Sequence, residues 1–227
     1  MREGRSIGLE EIVSNFKNLI FDTSSLRGYF RKSSFDFRYK KGTEKVFEDN
    51  RELYKRILEY LDKDKHIFIT EKVLDEVSKI FKYKYSKTIK NLKRIQNQIP
   101  DYREQLQYHR KLKGFIKDIR KLIRSFETNL NVLNLNKDQE EIYETLWDSY
   151  EHLQENYKLS YTDYDLLLSN IILAGTNGSC ALISNDIPMA KVWGNIILDL
   201  NISNSDAGFF IRREGLKFRK FYLNLNS

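Results

Sequence analysis

One cysteine, two prolines and three histidines stand in a chain of 227 residues. The single Cys180 excludes an intramolecular disulfide and any zinc site built from cysteines. It sits in the apolar run Cys180-Ala181-Leu182-Ile183 and is expected to pack as a small hydrophobe. His66, His109 and His152 have no metal-ligand spacing, and none adjoins a serine or cysteine nucleophile. A histidine-based hydrolase is therefore poorly supported, and no glycine-rich phosphate loop or dinucleotide fingerprint replaces it. Two prolines and ten glycines leave little scope for long disordered linkers. No apolar run approaches the ~20 residues that cross a bilayer, and Met1 to Arg5 lack the apolar core of a signal peptide. The expectation is a cytoplasmic protein with no membrane partner.

What the chain does have is charge. Charged residues make up 31% and the net charge is +7, with a pI near 9.2. That balance favours polyanionic partners, although it serves solubility as well. An apolar share of 41% is enough for a real core.

Apolar patterning divides the chain. Leu9 to Phe16 reads as a short helix, Leu19 to Phe21 as a buried strand, and a basic loop with Arg27, Arg31, Lys32, Arg38, Lys40 and Lys41 follows. Thr43 is placed to cap a helix carrying Val46, Phe47, Leu53, Ile57 and Leu61. His66 to Ile69 is a second strand, and Thr70 caps a helix with Val73, Leu74 and Val77. From Tyr83 to Lys158 a long amphipathic helix, bent near Pro100, leads through Asn134 to Asn136 into a second helix capped by Asn136 or Asp138. Thr162 then caps a strongly apolar helix, Cys180 to Ser184 is a third strand, Ile187 to Trp193 a short helix and Ile196 to Leu200 a fourth strand. Gly208 to Arg213 and Leu216 to Leu223 flank Glu214-Gly215 as a β-hairpin with a basic face.

Alternating strands and helices imply a three-layer α/β/α fold around a parallel sheet. The expected organisation is an α/β domain from residues 1–82 and 159–227, interrupted by an antiparallel helical hairpin at 83–158, with the C-terminal β-hairpin at its end.

Acidic residues fall at the ends of the apolar runs. Asp22 follows Leu19-Ile20-Phe21, Asp186 follows Ile183-Ser184-Asn185, Glu76 lies in the helix after the second strand, and Asp163 opens the helix after Ser160. In open α/β sheets, strand ends and helix starts meet at one edge, where ligands bind. Carboxylates near a core are costly unless paired or bound to metal, and hard oxygen donors suit Mg²⁺ or Mn²⁺. Such an ion polarises a phosphoryl group and activates water. Each acid also has a plainer explanation. Asp163 suits the helix dipole, Asp22 and Asp186 suit turns, and Glu76 suits an exposed helix face. Four such explanations are needed at matching positions, which favours one shared site.

The stretches Ile20-Phe21-Asp22-Thr23-Ser24-Ser25-Leu26, Val73-Leu74-Asp75-Glu76-Val77, Thr162-Asp163-Tyr164-Asp165-Leu166-Leu167 and Ser184-Asn185-Asp186 together resemble the PIN-domain nuclease family. The resemblance covers roughly Asn18 to Val77 and Ser160 to Leu200. It implies a metal-dependent endoribonuclease in which Asp22, Glu76, Asp163 and Asp186 are catalytic and hold Mg²⁺ or Mn²⁺. Asp163 and Asp165 compete for the third position. Two residues apart on a helix, they do not share a face; Asp163, at the helix start, is the first choice and Asp165 stands in reserve. Thr23, Ser24, Ser184 and Asn185 are expected to support the metal or orient substrate, and Arg27, Arg31 and Lys32 to grip it. RNA is the expected substrate, with DNA an alternative.

The long helical segment departs from the compact family pattern. Its first arm is basic (Lys87, Lys93, Arg110, Lys117 and Arg124 among others) and its second acidic (Glu140, Glu144, Asp148 and Glu151). Pairing of the arms is the plain reading, and tracking of a phosphate backbone the functional one. Tyr83, Tyr85, Tyr102 and Tyr108 interleave with the basic arm, and Arg212, Arg213, Lys217, Arg219 and Lys220 can extend its track. Two other functions are weighed: an inactive RNA- or protein-binding module, and an assembly protein whose helical segment drives homo-oligomers or holds a protein partner.

Overall fold

Strand β2 (Asn18–Phe21) is buried along its whole length, as a strand covered on both faces must be. The computed structural model describes residues 6–27, 40–61, 66–79, 101–129, 132–213 and 215–222. β2 lies inside a six-stranded mixed sheet with β1 (Ser6–Gly8), β3 (His66–Phe68), β4 (Cys180–Ile183), β5 (Ala207–Arg212) and β6 (Lys217–Lys220), in the order β1-β6-β5-β4-β2-β3. β2, β3, β4 and β5 run parallel, β6 pairs antiparallel with β5, and β1 pairs antiparallel with β6. The expected all-parallel sheet is thus corrected to a mixed one.

Helices α1 (Leu9–Asn15), α2 (Thr23–Arg27), α3 (Lys40–Leu61), α4 (71–79), α5 (Tyr102–Thr128), α6 (Lys137–Asn156), α7 (Tyr161–Thr176) and α8 (Ile187–Asp199) connect the strands. α3 packs against β3, α7 against β2, β4 and β5, and α8 against β5 and α7. The arrangement is compatible with three α/β/α layers. No helix among the described residues is long and apolar enough to cross a membrane.

Several expectations give way. Ile196 to Leu200 is not a strand; Asp186 caps α8, Pro188 opens it, and Val192, Trp193, Ile196 and Ile197 continue one buried helical face. A short apolar run carries no period of its own, so the preceding turns decide. The fourth parallel strand is β5, half of the expected hairpin, and it is buried throughout. Gly208 in β5 meets the ring of Phe16, whose Cζ would stand 2.6 Å from an added Cβ, so a larger residue does not fit that approach. The helix cap is Ser160 rather than Thr162. Thr43 falls inside α3, which starts at Lys40. The short helix α2 stands at the start of the expected basic loop.

The helical segment also differs. α5 packs on α3, where Arg51 pairs with Asp118 at 3.0 Å and Lys111 with Glu48 at 3.6 Å. α6 packs on α7 and α8, with Tyr150 donating to Asp199. Among the described residues, then, the arms do not form the expected antiparallel pair, because each buries its stripe on a sheet-covering helix. Asn136 and Gln139 close a reciprocal capping box at the start of α6. The bend near Pro100 and Tyr83 and Tyr85 lie outside the described residues, as do the side chains of Tyr102 and Tyr108.

Arg212 leaves the expected basic track altogether. It is 3% exposed and donates to Ser25 O at 2.9 Å, Asn50 Oδ1 at 2.6 Å and Gly215 O at 3.0 Å. Tyr54 donates to Leu26 O beside it. Two carbonyls in the last turn of α2 thereby gain donors from β5 and α3. Arg212→Ala is expected to cost roughly 2–4 kcal/mol by stranding these buried acceptors. Arg212→Lys should recover only part of that loss, since a lysine has no planar fork. Urea unfolding of the variants measures both, and parental stability of Arg212→Ala would refute the role.

Candidate active site

The register of β2 on β4 pairs Phe21 with Ile183, so Asp22 and Ser184 leave adjacent parallel strands side by side. Asp22 is 3% exposed, and its Oδ2 accepts from Ser24 N at 3.1 Å, Ser184 Oγ at 2.8 Å and the Ser24 hydroxyl. Asn185 N donates to Ser24 Oγ at 2.9 Å and Asn185 Nδ2 to Ser24 O at 3.3 Å, which ties the two strand ends together. Asp186 N donates to Ser184 Oγ at 3.1 Å, while Asp186 Oδ1 caps α8 by accepting from Met189 N at 2.8 Å.

The two helical acids are held from outside the sheet. Thr23 Oγ1, next to Asp22, donates to Glu76 Oε2 at 2.9 Å. Ser160 Oγ donates to Asp163 Oδ2 at 2.6 Å, and Asp163 N returns a bond to Ser160 Oγ at 3.1 Å. Each carboxylate therefore has one oxygen engaged. Among the described residues, Asp22 Oδ1, Glu76 Oε1, Asp163 Oδ1 and Asp186 Oδ2 make no hydrogen bond or ion pair.

Electrostatics couples three of these acids. Burial pushes the Asp22 carboxyl up from 3.8 to about 6, against the lowering effect of the Ser24 and Ser184 bonds, and the Asp163 charge raises it further. Asp186 is raised by burial, opposed by the Met189 N–H, and raised again by Asp163. Like charges near one another and partly out of water favour the proton or a cation.

Asp165 is different. Tyr143 donates to its Oδ1 at 3.0 Å, and Lys72 Nζ lies 3.6 Å from its Oδ2, so both oxygens are taken. Lys72, Tyr143 and Ser160 were not singled out by the sequence. The signal for Lys72 was its place one turn before Glu76; for Ser160 it was the Ser-x-x-Asp spacing. The side chain of Arg27 and all of Arg31 and Lys32 lie outside the described residues.

Comparison of the chain with protein-family models, with curated proteins and with solved structures returns no match. The site therefore stands on its own chemistry. Its donors are hard oxygens, the set that Mg²⁺ or Mn²⁺ takes. Asn185 Oδ1, next to Asp186 in sequence and on a side chain that bonds Ser24, is buried and accepts nothing from the described residues. A hydrated cation would supply the missing donor through a bound water. No group of three or more His, Cys, Asp or Glu side chains stands in ligating range among the described residues, so the chemistry fits a cation while a closed ligand shell is not preformed.

The buried charge has a consequence for stability. Because the Asp22 value in the fold exceeds its ordinary 3.8, the folded chain holds that proton more tightly. Its contribution is full below about pH 4 and is lost as pH rises through about 6. In EDTA, Asp22→Asn is expected to stabilise the protein at pH 8 by up to about 3 kcal/mol, the free energy of a rise from 3.8 to about 6, and by little at pH 4. Urea unfolding at both pH values measures this; a variant less stable than the parent at pH 8 would contradict it.

Proposed function

We propose that this chain is a PIN-like, Mg²⁺- or Mn²⁺-dependent endoribonuclease acting in the cytoplasm. The observation that carries the reading is the shared form of the four acids: each is fixed through one oxygen and leaves the other open. Asp22, Glu76, Asp163 and Asp186 would hold the ion. Asp165, spent on Tyr143 and Lys72, would not be a ligand. When bound, the ion would polarise the phosphoryl group and lower the pKa of a water.

The chain's own groups do the positioning. Ser24 and Ser184 lock the Asp22 carboxylate in one orientation, which reduces the reorganisation that ligand binding requires. Thr23 does the same for Glu76 and Ser160 for Asp163. Asn185 spans the two strand ends and presents an open carbonyl oxygen, suited to orienting a water or a ribose hydroxyl. The net charge of +7 favours a polyanionic substrate.

Cleavage of end-labelled RNA containing single-stranded and hairpin regions tests the reading. Activity is expected with Mg²⁺ or Mn²⁺ and none in EDTA. Partners that merely orient a metal ligand are worth roughly 10–100-fold, so Asp22→Asn or Asp186→Asn should lose more than about 100-fold. Asp165→Asn should retain most activity. Parental cleavage by Asp22→Asn would defeat the assignment. Retained RNA binding without cleavage under any metal would point to the binding module instead.

A further inference from the structure

We propose that a single-stranded RNA runs from the acidic group over Lys72 and Tyr161, Lys72 taking a phosphate and Tyr161 stacking on the adjoining unpaired base. The inference rests on the nuclease reading for where the strand begins, and it narrows the substrate to RNA with unpaired nucleotides.

Tyr161, the first residue of α7, is 66% exposed although aromatic. Its ring lies parallel to that of Trp147, with centroids 5.8 Å apart and planes 5° apart. Trp147 is fixed in turn by Tyr164 at 4.8 Å in an edge contact and by Tyr143 at 5.8 Å. The Tyr161 ring is thus held in one orientation before any ligand arrives, which lowers the entropy lost when a base stacks on it. Every base has a π-face, so such a platform accepts unpaired nucleotides regardless of sequence. A base inside a duplex has no free face to offer.

The phosphate position follows from helix geometry. Tyr161 and Asp165 are one turn apart on the same face of α7, and Lys72 reaches Asp165 at 3.6 Å while remaining half exposed. Lys72 is itself one turn before Glu76 on α4. A phosphate arriving between these helices replaces a loose ion pair worth under ~1 kcal/mol, and Asp165 keeps its bond from Tyr143. Glu144 and Glu151 share the α6 face of Trp147. Their charge turns the backbone away from the aromatic stack and toward Lys72, leaving the base to meet the ring.

Anisotropy of a fluorescein-labelled eight-nucleotide single-stranded RNA, measured in EDTA at several salt concentrations, tests this apart from cleavage. Tyr161→Ala is expected to weaken binding roughly 5- to 100-fold, while Tyr161→Phe stays within about twofold of the parent. Lys72→Ala should lower the slope of log affinity against log salt by about 0.7, the value for one phosphate contact on a single strand. A duplex of the same sequence should show no dependence on Tyr161. Equal binding by parent and Tyr161→Ala, an unchanged salt slope in Lys72→Ala, an equal loss for the duplex, or no binding by the parent would each overturn the inference. Binding with the expected dependences but no cleavage in Mg²⁺ or Mn²⁺ would sink the nuclease reading alone. Cleavage of single-stranded RNA that is indifferent to Tyr161→Ala would sink this inference alone.

Discussion

A carboxylate at the end of a buried central strand sets the terms for everything around it. Asp22 sits where water is scarce, and a charge there is unfavourable unless donors or a cation answer it. Three donors converge on one of its oxygens, two from Ser24 and one from Ser184. They lower its pKa, yet burial wins and the carboxyl is still pushed up to about 6. The fold thus holds the group in place without neutralising it.

The turn carrying Asp22 is secured at both ends. Asp22 accepts from Ser24 N at the start of α2, and Arg212 and Tyr54 donate to the Ser25 and Leu26 carbonyls at its finish. A five-residue helix has little stability of its own, so these contacts from β5 and α3 set where it points. The C-terminal hairpin is therefore part of the support of the acidic edge, through a buried guanidinium that reaches across from β5. This explains why a residue counted among surface cations by its neighbours in sequence is among the least exposed charged groups described.

The helical segment serves the layers before it serves any partner. α5 covers α3 and ties to it through Arg51–Asp118 and Lys111–Glu48, while α6 covers α7 and α8 and brings Trp147 and Tyr143 to the start of α7. Segregated charge along the two arms therefore reflects two different environments. The acidic arm carries Tyr143 and Trp147 to α7, and the basic arm packs on α3.

The strands around Leu19–Phe21, Ile67 and Cys180–Ile183 were legible from local residues, because a short apolar run ending in a polar residue has few other uses. The adjacency of Asp22 and Ser184 follows from the same pattern, since the ends of neighbouring parallel strands share one edge. The strand expected at Ile196–Leu200 failed because apolar runs carry no period, and only packing chose the helix. The partners of α5 and α6 were illegible for a similar reason: an amphipathic stripe says that a face is buried, not against what. The choice between Asp163 and Asp165 was likewise open along the chain, where the two differ by two positions. Tertiary contacts gave Asp165 to Lys72 and Tyr143 and left an oxygen of Asp163 open. Sequence by itself determined which residue types reach the sheet edge and gave Asp163 and Asp186 their neighbouring donors Ser160 and Met189 N, because those depend on local pattern; the bonds from Thr23 to Glu76 and from Ser184 to Asp22 join positions distant in the chain, which only the folded packing brings within 3 Å or so of one another.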